Sequence, residues 1–514
     1  MWETLPPQYG TRSDKMDKKV TIAIVAVVVI FVVAVSVVIL TQEKPKYDPD
    51  DVDLSHLADA DLNPCLEVFG NVNEDLVIDQ KDVDALQSAL KDGTASKLKY
   101  ADANFDGVVD DSDVEYIKKI MNATFENPVE IKHIQRYSNG DYYVDETKGR
   151  STTIPVNAIV TTASANMLTM YKHLGICDEI KAVAWYSKVD ETLLAEYQKF
   201  FVDSKFDIEG SPIYRVGGSA GYFAEEMLTK HIVNDGVTTL ITADNASSYL
   251  NGPSKSYPYG ITEDRAYELN LDVIRVAPAA TDFEAFLSDV ALIALVTGKD
   301  LSKVAELESW IESTIGEINK KLNDRVGKGY VAQQSVAVSS SNSYIKGSDG
   351  KVETSNYISS LNSDYTKVAL AAGGKWVMQD YPWKEGSSSS EKYTDLGKWL
   401  EPYNIENIIC IKTASGFSYY DKDSTLDSKV PWSCMMAFSD TEAFYNGNVY
   451  VLSGDLPVVL RIVYAANILY PDLFSDSWAE NKHIDYAEDF LGLSSSTIKN
   501  GKFFVTMEDM GLKQ

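Results

Sequence analysis

Short apolar runs alternate with helical patterns from about Thr152 onward in this 514-residue chain, and this alternation limits the fold more than any other feature. The apolar runs predict strands at Ala158–Thr162, Ala182–Trp185, Thr238–Thr242, Val273–Val276, Ser335–Ser339, Ile408–Ile411 and Asn448–Leu452. Helical patterns such as Asn166–His173 and Phe223–Val233 fall between these runs. Alternation of this kind indicates α/β sheets with crossover helices.

One long helix divides the alternating region into two halves. Residues Leu301–Arg325 keep apolar positions at three- and four-residue spacing, which predicts a single uninterrupted helix. The sequence therefore predicts an α/β fold with two three-layer α/β lobes joined by a long rigid helix. The expected bounds are 126–300 for a hairpin with the N-terminal lobe, 301–326 for the inter-lobe helix and 327–514 for the C-terminal lobe.

An uncharged apolar run, Val20–Leu40, lies near the N-terminus. A helix needs roughly 20 such residues to cross a bilayer. Basic residues precede the run and acidic residues follow it, which predicts a cytoplasmic tail at 1–19 and an extracellular remainder. A cleaved signal peptide is the competing interpretation, but no small-residue cleavage site of the A-x-A kind follows. We expect a single-pass protein held in the cell membrane by one transmembrane helix, followed by a polar linker at 41–62.

Composition excludes several classes of function. The formal net charge of −29 disfavours nucleic acid as a partner, because phosphate binding needs basic surface. The cysteines form no C-x-x-C pair, and Cys410 with Cys434 is the favoured but unestablished pair for a disulfide. The five histidines form no H-E-x-x-H motif, which would be typical of a zinc hydrolase. We therefore expect a protein that is not an enzyme and has no catalytic residues.

Residues 63–125 contain a tandem repeat of two acidic loops. Oxygen-bearing side chains occupy positions 1, 3, 5, 9 and 12 of each loop: Asn71, Asn73, Asp75, Asp79 and Asp82, then Asp102, Asn104, Asp106, Asp110 and Asp113. Calcium takes about six to eight oxygen ligands, and this spacing wraps the chain around one ion. Each loop is followed by a short amphipathic pattern, Val83–Leu90 or Val114–Met121. The repeat predicts a small all-α module that binds Ca²⁺.

This duplicated pattern resembles a dockerin module. The second loop matches D-x-N-x-D-G-x-V-D-x-x-D throughout, whereas the first departs at Asn71 and at Leu76, where glycine is expected. By resemblance, positions 10 and 11 of each loop would contact a cohesin-bearing partner protein: Gln80, Lys81, Asp111 and Ser112. The alternative is that the module is a calcium-stiffened spacer without a cohesin partner.

A second resemblance covers about residues 140–495. Asp145–Pro155 (DETKGRSTTIP) is similar to the hairpin motif that opens the iron-siderophore and cobalamin class of ABC-transporter substrate-binding proteins, with one extra residue before the glycine. Gly447–Gly454 (GNVYVLSG) and Leu469–Phe474 (LYPDLF) resemble that family's closing motifs. The resemblance implies two lobes with the ligand in the cleft between them. The ligand would be a metal chelate, haem or a corrinoid.

Cleft residues are expected where strands end, because open α/β sheets bind ligands at the carboxyl ends of their strands. Polar, aromatic and cationic side chains at such positions are Thr162, Ser164, Asn166, Trp185, Tyr186, Arg215 and Tyr222 in the first half, and Tyr381, Trp383 and Arg461 in the second. Arginine pairs with carboxylates of a siderophore or haem, and aromatic rings pack against rings of a ligand.

Docking on an ABC permease is implied by the same family resemblance. The family uses one surface glutamate per lobe, and Glu225 in Glu225–Leu228 (EEML) matches the first of these. In the second lobe Gly397–Leu400 stands where the glutamate is expected, with Asp395 as a substitute. The expected function is an extracellular solute-binding protein of an ABC importer. The alternative is a cell-surface interaction protein that binds a cohesin partner through the dockerin-like module.

Overall fold

The structure, a computed structural model of the full chain, describes residues 45–138, 142–163, 165–185, 214–215, 223–243, 250, 260–277, 281–339, 341–346, 352–379, 381, 383, 391–393, 400–412, 429–454 and 456–512. Within these ranges, no helix combines the length and the apolar character needed to cross a bilayer. This finding overturns the predicted single-pass membrane localisation, which is not retained. The run Val20–Leu40 on which that prediction depended lies outside the described residues.

Residues 63–125, here called the module, contain two helices, α1 (Gln80–Asp92) and α2 (Asp111–Met121). Both begin three residues earlier than the amphipathic pattern predicts, because an aspartate caps each first turn. The carboxylate of Asp79 accepts from Lys81 N at 2.7 Å, and that of Asp110 accepts from Ser112 N at 2.7 Å. The two helices pack on each other through buried aliphatic side chains, among them Val83, Leu86, Val114 and Ile117.

A long hairpin connects the module to the α/β region. Strands β1 (Val129–Ser138) and β2 (Tyr142–Ile154) pair antiparallel, and the turn at 139–141 lies outside the described residues. On the module side, Phe69 N donates to Lys132 O at 2.9 Å. On the other side, Thr153 N donates to the carboxylate of Asp272 at 3.0 Å. The hairpin is thus longer than the motif Asp145–Pro155, and near its open end it is bonded both to the module and to lobe 1.

Lobe 1 is built on an all-parallel sheet in the order β5-β4-β3-β6-β7. Its strands are β3 (Ile159–Ala163), β4 (Ile180–Trp185), β5 (Tyr214–Arg215), β6 (Thr239–Ala243) and β7 (Asp272–Val276), and its helices are α3 (Ala165–Leu174), α4 (Glu225–Asp235), α5 (Glu263–Glu268) and α6 (Phe283–Thr297). The chain first moves outward from β3 to β5 and then returns to the other side of β3. The strand order therefore reverses between β3 and β6, where α/β sheets open a crevice.

The long helix α7 (Ser302–Arg325) follows lobe 1 and matches the predicted Leu301–Arg325 within one residue. Its buried face consists of aliphatic side chains spaced three or four apart: Val304, Leu307, Ile311, Ile315, Ile318 and Leu322. They belong to one apolar cluster that includes residues of both lobes and of the module. Helix α7 therefore forms part of a continuous core rather than a free connection.

Lobe 2 contains two sheets. The main sheet has the order β14-β13-β12-β8, in which β8 (Val336–Ser339), β12 (Asn407–Lys412) and β13 (Val449–Ser453) are parallel and β14 (Phe504–Val505) is antiparallel. A second, antiparallel sheet consists of β9 (Ser341–Lys346), β10 (Val352–Ile358) and β11 (Glu391–Tyr393). The helices are α8 (Asp364–Ala371), α9 (Lys429–Met436), α10 (Glu442–Tyr445), α11 (Val458–Leu469), α12 (Asp476–Leu491) and α13 (Ser495–Asn500).

The segment that leads into the module, residues 45–63 and here called the strap, lies against α7 and both lobes. Its last residue, Asn63, is also the first residue of the module. Its first residues bond beyond the end of α7, where Lys46 N and Tyr47 N donate to Gly329 O at 2.7 and 2.8 Å. Asp53 N donates to Gln333 Oε1 at 2.9 Å, and Gln333 Nε2 donates back to Asp53 O at 2.6 Å. The sequence predicts a linker over 41–62, and its described part, 45–62, has fixed contacts along its length.

The strap ends against lobe 1. Leu62 N donates to Glu312 Oε1 of α7 at 3.1 Å, and Asn63 N donates to Glu284 Oε1 of α6 at 2.8 Å. Between these ends, Asn319 Nδ2 donates to a strap carbonyl at 2.9 Å. An α-helix turns by about 100° per residue. Glu312 and Asn319, which bond to the strap, therefore lie on a different side of α7 from its buried aliphatic residues.

The cysteine pair favoured for a disulfide does not form one. Cys410 on β12 and Cys434 on α9 are both buried in a smaller apolar cluster of lobe 2, and neither is disulfide-bonded. Burial raises the pKa of the Cys434 thiol above its usual value. Cys434 therefore behaves as an apolar core residue.

Candidate functional site

The carboxyl edge of lobe 1 is organised by Thr162 at the end of β3. This side chain is 2% exposed, and its Oγ1 accepts a hydrogen bond from Ala243 N, at the end of β6, at 3.2 Å. Thr162 therefore joins the two strands between which the strand order reverses. Helix α3 begins two residues beyond β3, which places Asn166 in its first turn at this edge.

Arg461 brings the facing edge of lobe 2 into contact with that point. It lies in the first turn of α11, directly after the carboxyl end of β13, and is 2% exposed. Its Nε donates to Leu456 O at 2.8 Å, and its Nη2 donates to Asn166 Oδ1 at 3.1 Å. Two residues predicted to bind ligand, one from each lobe, thus bond to each other. We call this pair, Asn166 and Arg461, the cleft floor.

A narrow apolar crevice lies beside the cleft floor, between the lobes and α7. It is lined by Asn166 together with aromatic and aliphatic side chains that include Phe283, Ile311, Val458 and Tyr486. The sequence analysis did not single out these apolar residues as site residues. Their helical spacing indicates only that they are buried. It does not distinguish residues that line a crevice from residues of a closed core.

The aromatic pair predicted for lobe 2 packs on that lobe's smaller core. The rings of Tyr381 and Trp383 lie edge to face with centroids 4.6 Å apart. Trp383 Nε1 donates to Met378 O at 3.2 Å, and both rings are half-buried against the cluster around Met378. These contacts account for both rings structurally. A ligand-binding role for Tyr381 and Trp383 stays a prediction.

The remaining predicted ligand residues are described partly or not at all. Ser164, Tyr186 and Tyr222 lie outside the described residues. For Trp185 and Arg215 only the backbone is described: Trp185 ends β4, and Arg215 pairs with Val183 in β5. Trp185 is the last residue of β4, at the carboxyl edge of the lobe 1 sheet, whereas Arg215 lies level with Val183, two residues before that edge. A ligand-binding role for either residue stays a prediction.

Glu225, predicted to dock on a permease, is engaged in an ion pair. It is the first residue of α4, and its two carboxylate oxygens accept from Arg265 Nε at 3.1 Å and Arg265 Nη2 at 2.5 Å. This two-point hydrogen bond holds the pKa of the Glu225 carboxyl below its usual value. A partner would therefore meet a neutralised pair here rather than a lone carboxylate. Asp395, the substitute expected in lobe 2, lies outside the described residues.

The second acidic loop of the module has the turn that a cation site needs. Gly107 adopts φ +88°, and Phe105 adopts φ +59°. The carboxylate of Asp102 accepts from Asp106 N at 3.0 Å and from Gly107 N at 2.9 Å. Asp113 is fully buried and accepts from Asn104 N and Asp110 N. These oxygen donors fit the chemistry of Ca²⁺, a hard cation.

The first loop shares the buried acid at position 12 but differs at position 1. Asp82 is fully buried and accepts from Val72 N at 2.7 Å and Asp79 N at 2.8 Å. Burial raises the pKa of Asp82 above its usual value. Asn71 is also fully buried, and its Nδ2 donates to Asp75 O at 2.6 Å. In the described part of the chain, no three His, Cys, Asp or Glu side chains converge as a metal cluster.

Several solved structures are similar in fold. A TroA-like periplasmic binding protein, FepB, from Veillonella parvula aligns at 16% identity and a TM-score of 0.49, over 70% of this chain and 97% of that one. An ABC-type Fe³⁺-hydroxamate transport protein from Saccharomonospora viridis aligns at 14% identity and 0.40, over 64% and 96%. A periplasmic heme-binding protein from Pseudomonas aeruginosa aligns at 12% identity and 0.38, over 61% and 93%.

No family model and no curated protein matches this chain. The two-lobed architecture therefore rests on the strand orders, on the helix between the sheets and on the contact between their carboxyl edges.

Proposed function

We propose that this chain is the solute-binding component of an ABC importer and captures an iron chelate, haem or a corrinoid between its lobes. The observation that carries the proposal is the hydrogen bond from Arg461 to Asn166, which joins the two lobes where their parallel strands have their carboxyl ends. Such edges are where open α/β sheets bind their ligands. The motifs at Asp145–Pro155 and Leu469–Phe474, which resemble those of substrate-binding proteins, favour the same function.

The charge on Arg461 supports an acidic ligand. A guanidinium remains protonated at all physiological pH values. A carboxylate of a siderophore or of haem would pair with this cation more strongly than an amide oxygen does.

Three of the five described histidines, His133, His173 and His483, are kept uncharged by burial. Burial lowers the pKa of His133 and of His173 to about 4, and that of His483 to about 3. All three are therefore neutral near pH 7 and do not exchange protons there. His173 Nε2 lies 2.9 Å from Lys303 O, so its ring holds α3 against α7. These three residues therefore contribute to the packing of the fold.

Fluorescence titration of the purified full chain tests the proposed function. The ligands are a ferric hydroxamate, a ferric catecholate, haem and cobalamin, and we expect one of them to bind with a sub-micromolar dissociation constant. Arg461→Ala should weaken that binding at least tenfold. Arg265→Ala is the matched control, because Arg265 lies in α5 before the amino end of β7, and it should bind as the wild type does. Absence of binding by all four ligands would contradict the proposal.

Calcium binding by the module is a separate part of the proposal. The ligands would come from the acidic loops, with Asp102, Asp106 and Asp113 as the acidic donors of the second loop. The bound ion would neutralise carboxylates that the fold places close together or buries. Melting of the chelator-treated chain with and without added Ca²⁺ tests this part, and equal melting temperatures would contradict it.

An alternative function is recruitment of a cohesin-bearing partner through the module. One observation favours it: Gln80, Lys81, Asp111 and Ser112 are all exposed in the first turns of α1 and α2. A surface of that kind is accessible to a partner protein even with the module bonded to the hairpin. Binding of a recombinant cohesin that is lost in a Lys81→Ala and Ser112→Ala double variant would support this alternative.

A further inference from the structure

The chain that precedes β3 is first bonded to lobe 2, at the start of the strap. Gln333 lies between α7 and β8, and its Nε2 donates to Asp53 O at 2.6 Å and to Gly373 O at 3.2 Å. Because Gly373 follows α8, this one amide group bonds the strap to the body of lobe 2. Lys375 Nζ adds a hydrogen bond to Asp51 O at 3.2 Å. The strap is therefore attached to lobe 2 itself as well as to the segment beyond α7.

The same strap reaches lobe 1 at its other end. Ala58 and Leu62 are 8% and 6% exposed, and they belong to the apolar cluster that contains the buried face of α7. Asn63 N donates to Glu284 Oε1 at 2.8 Å, and Glu284 lies in the first turn of α6, a helix of lobe 1. The strap thus extends along α7 from one lobe to the other.

The module and the hairpin add a further attachment to lobe 1. Ile134 N donates to Glu67 O at 2.9 Å. Val68 forms an antiparallel bridge with His133, so the module pairs with β1 as a short extra strand. Strand β2 is in turn bonded to Asp272 at the start of β7. The strap, the module and the hairpin therefore form one continuous series of bonded elements that begins on lobe 2 and ends on lobe 1.

The segment between α7 and β8, residues 326–335, is where lobe 2 could turn relative to α7. Domain motions usually occur at a few residues in loops or at the ends of helices and strands. This segment contains Gly329, whose φ is +73°. The strap bonds to it at two points, through Gly329 O and through the side chain of Gln333. Turning of lobe 2 at this segment would therefore have to break hydrogen bonds of the strap.

We propose that the strap, the module and the hairpin form a second connection between the lobes, in addition to α7, and that this connection limits how far the cleft opens. The strap holds lobe 2 at the segment where it would turn, and the other end of the connection is fixed to lobe 1. A solute then enters and leaves through a narrow range of cleft openings. The restraint does not depend on which solute is bound, so failure of the solute titration would leave it standing.

Electron–electron double resonance on the full chain without solute tests the restraint, because it measures the distance between spin labels on the two lobes. A keto-bearing amino acid at Val233 in α4 and at Tyr445 in α10 carries the labels, since these side chains are 75% and 76% exposed. We expect a narrow distance distribution in the wild type. Gln333→Ala should roughly double its width, because the hydrogen bonds of the strap to this side chain are lost. Gln333→Glu should act in the same direction, because a carboxylate cannot donate to Asp53 O or to Gly373 O.

Gln334→Ala is the matched control. Gln334 is the next residue, and its side chain bonds to Ala332 O and to Asn407 rather than to the strap. We expect the width of its distance distribution to equal that of the wild type, and circular dichroism to show that all variants keep their helices. Equal broadening in Gln333→Ala and Gln334→Ala would overturn the proposal, because the loosening would then arise within lobe 2 and not from the strap.

The lobe 1 end of the strap gives an independent readout. Glu284→Ala removes the acceptor of Asn63 N and should also widen the distance distribution. Glu284→Gln keeps an oxygen that accepts this bond and should retain the wild-type width. Glu284 is exposed, so neither change disturbs the core. Wild-type widths in both Gln333→Ala and Glu284→Ala would overturn the second connection.

Discussion

The strap and the cleft floor both connect the two lobes, but they do so with different kinds of contact. The strap uses backbone N–H and C=O groups that bond to α6, to α7 and to the segment beyond α7. The cleft floor uses one side-chain hydrogen bond between Arg461 and Asn166. Backbone bonds of the strap are unaffected by a solute, whereas the Arg461 bond can be replaced by one. The comparison indicates that the strap holds the lobes together, while a solute can replace the hydrogen bond of the cleft floor.

The largest effect on stability is expected when a buried residue of α7 is replaced, because α7 supports both the strap and the cleft floor. Ile311 is fully buried on the apolar face of α7, and Ile311→Ala should lower the free energy of unfolding by about 3 kcal/mol through lost burial and a cavity. Urea denaturation measures it. Lys320→Ala on the same helix is the control: its side chain is 78% exposed, so a loss below about 0.5 kcal/mol is expected. Equal losses would mean that α7 is not part of the core.

Acid should weaken the attachment of lobe 1 to α7. The pKa of His173 is about 4 in the folded chain because of burial, and 6.5 is the ordinary value. Between these values the unfolded chain binds the proton and the folded chain does not, so stability is lost as the pH falls from 6.5 toward 4. At pH 5 this residue contributes a loss of about 2 kcal/mol relative to pH 7.5. His173→Gln should lack that share of the pH dependence, and an unchanged pH profile would contradict the assignment.

A steric clash introduced at Gly329 tests the contact of the strap without changing the cleft floor. Gly329 has φ +73°, and a Cβ atom there would overlap the carbonyl oxygen of Tyr47. Gly329→Ala should cost about 1.5 kcal/mol and should speed amide exchange at Lys46 and Tyr47. Gly492→Ala separates the two causes, since Gly492 has φ +59° and open space around it, so only the backbone cost of about 1 kcal/mol applies. Unchanged exchange at the strap amides would show that the strap is not held there.

The smallest effect on stability is expected at the cleft floor. Asn166→Ala removes one hydrogen bond to Arg461 and should cost about 1 kcal/mol or less, measured by the same denaturation. A loss of unfolding free energy larger than that of Gly329→Ala would reverse the comparison, because the cleft floor would then hold the lobes more firmly than the strap does.

Much of the α/β region could be predicted from sequence because local pattern and fold agree there. The apolar runs at Val273–Val276 and Asn448–Leu452 fall within one residue of β7 (Asp272–Val276) and β13 (Val449–Ser453). Strand order could not be predicted, since the reversal between β3 and β6 is set by pairing across many residues. The strap was interpreted as a linker for a similar reason: its bonds join backbone groups to residues more than 200 positions away, such as Glu284 and Gln333.

The candidate site also has a part that the local sequence pattern predicts and a part that it does not. Thr162, Asn166 and Arg461 could be placed at strand ends because position in the α/β pattern fixes which edge of the sheet a residue occupies. The mutual contact of Asn166 and Arg461 depends on how the lobes face each other, which no local pattern encodes. Residue type alone also suggested oxygens at both acidic loops. The contacts of the Asn71 amide nitrogen with Leu66 O and Asp75 O are revealed only by the fold.

The contacts of the hairpin with the module and with lobe 1 allow the position of lobe 1 to be followed by fluorescence. Because Phe69 and Glu67 bond directly to β1, a dye on the module reports the position of lobe 1. Lys97 on the module and Lys499 on α13 of lobe 2 are both exposed and accept such dyes after replacement by cysteine. A change in energy transfer between them when solute is added would read out the closing of one lobe on the other, without a label near the cleft.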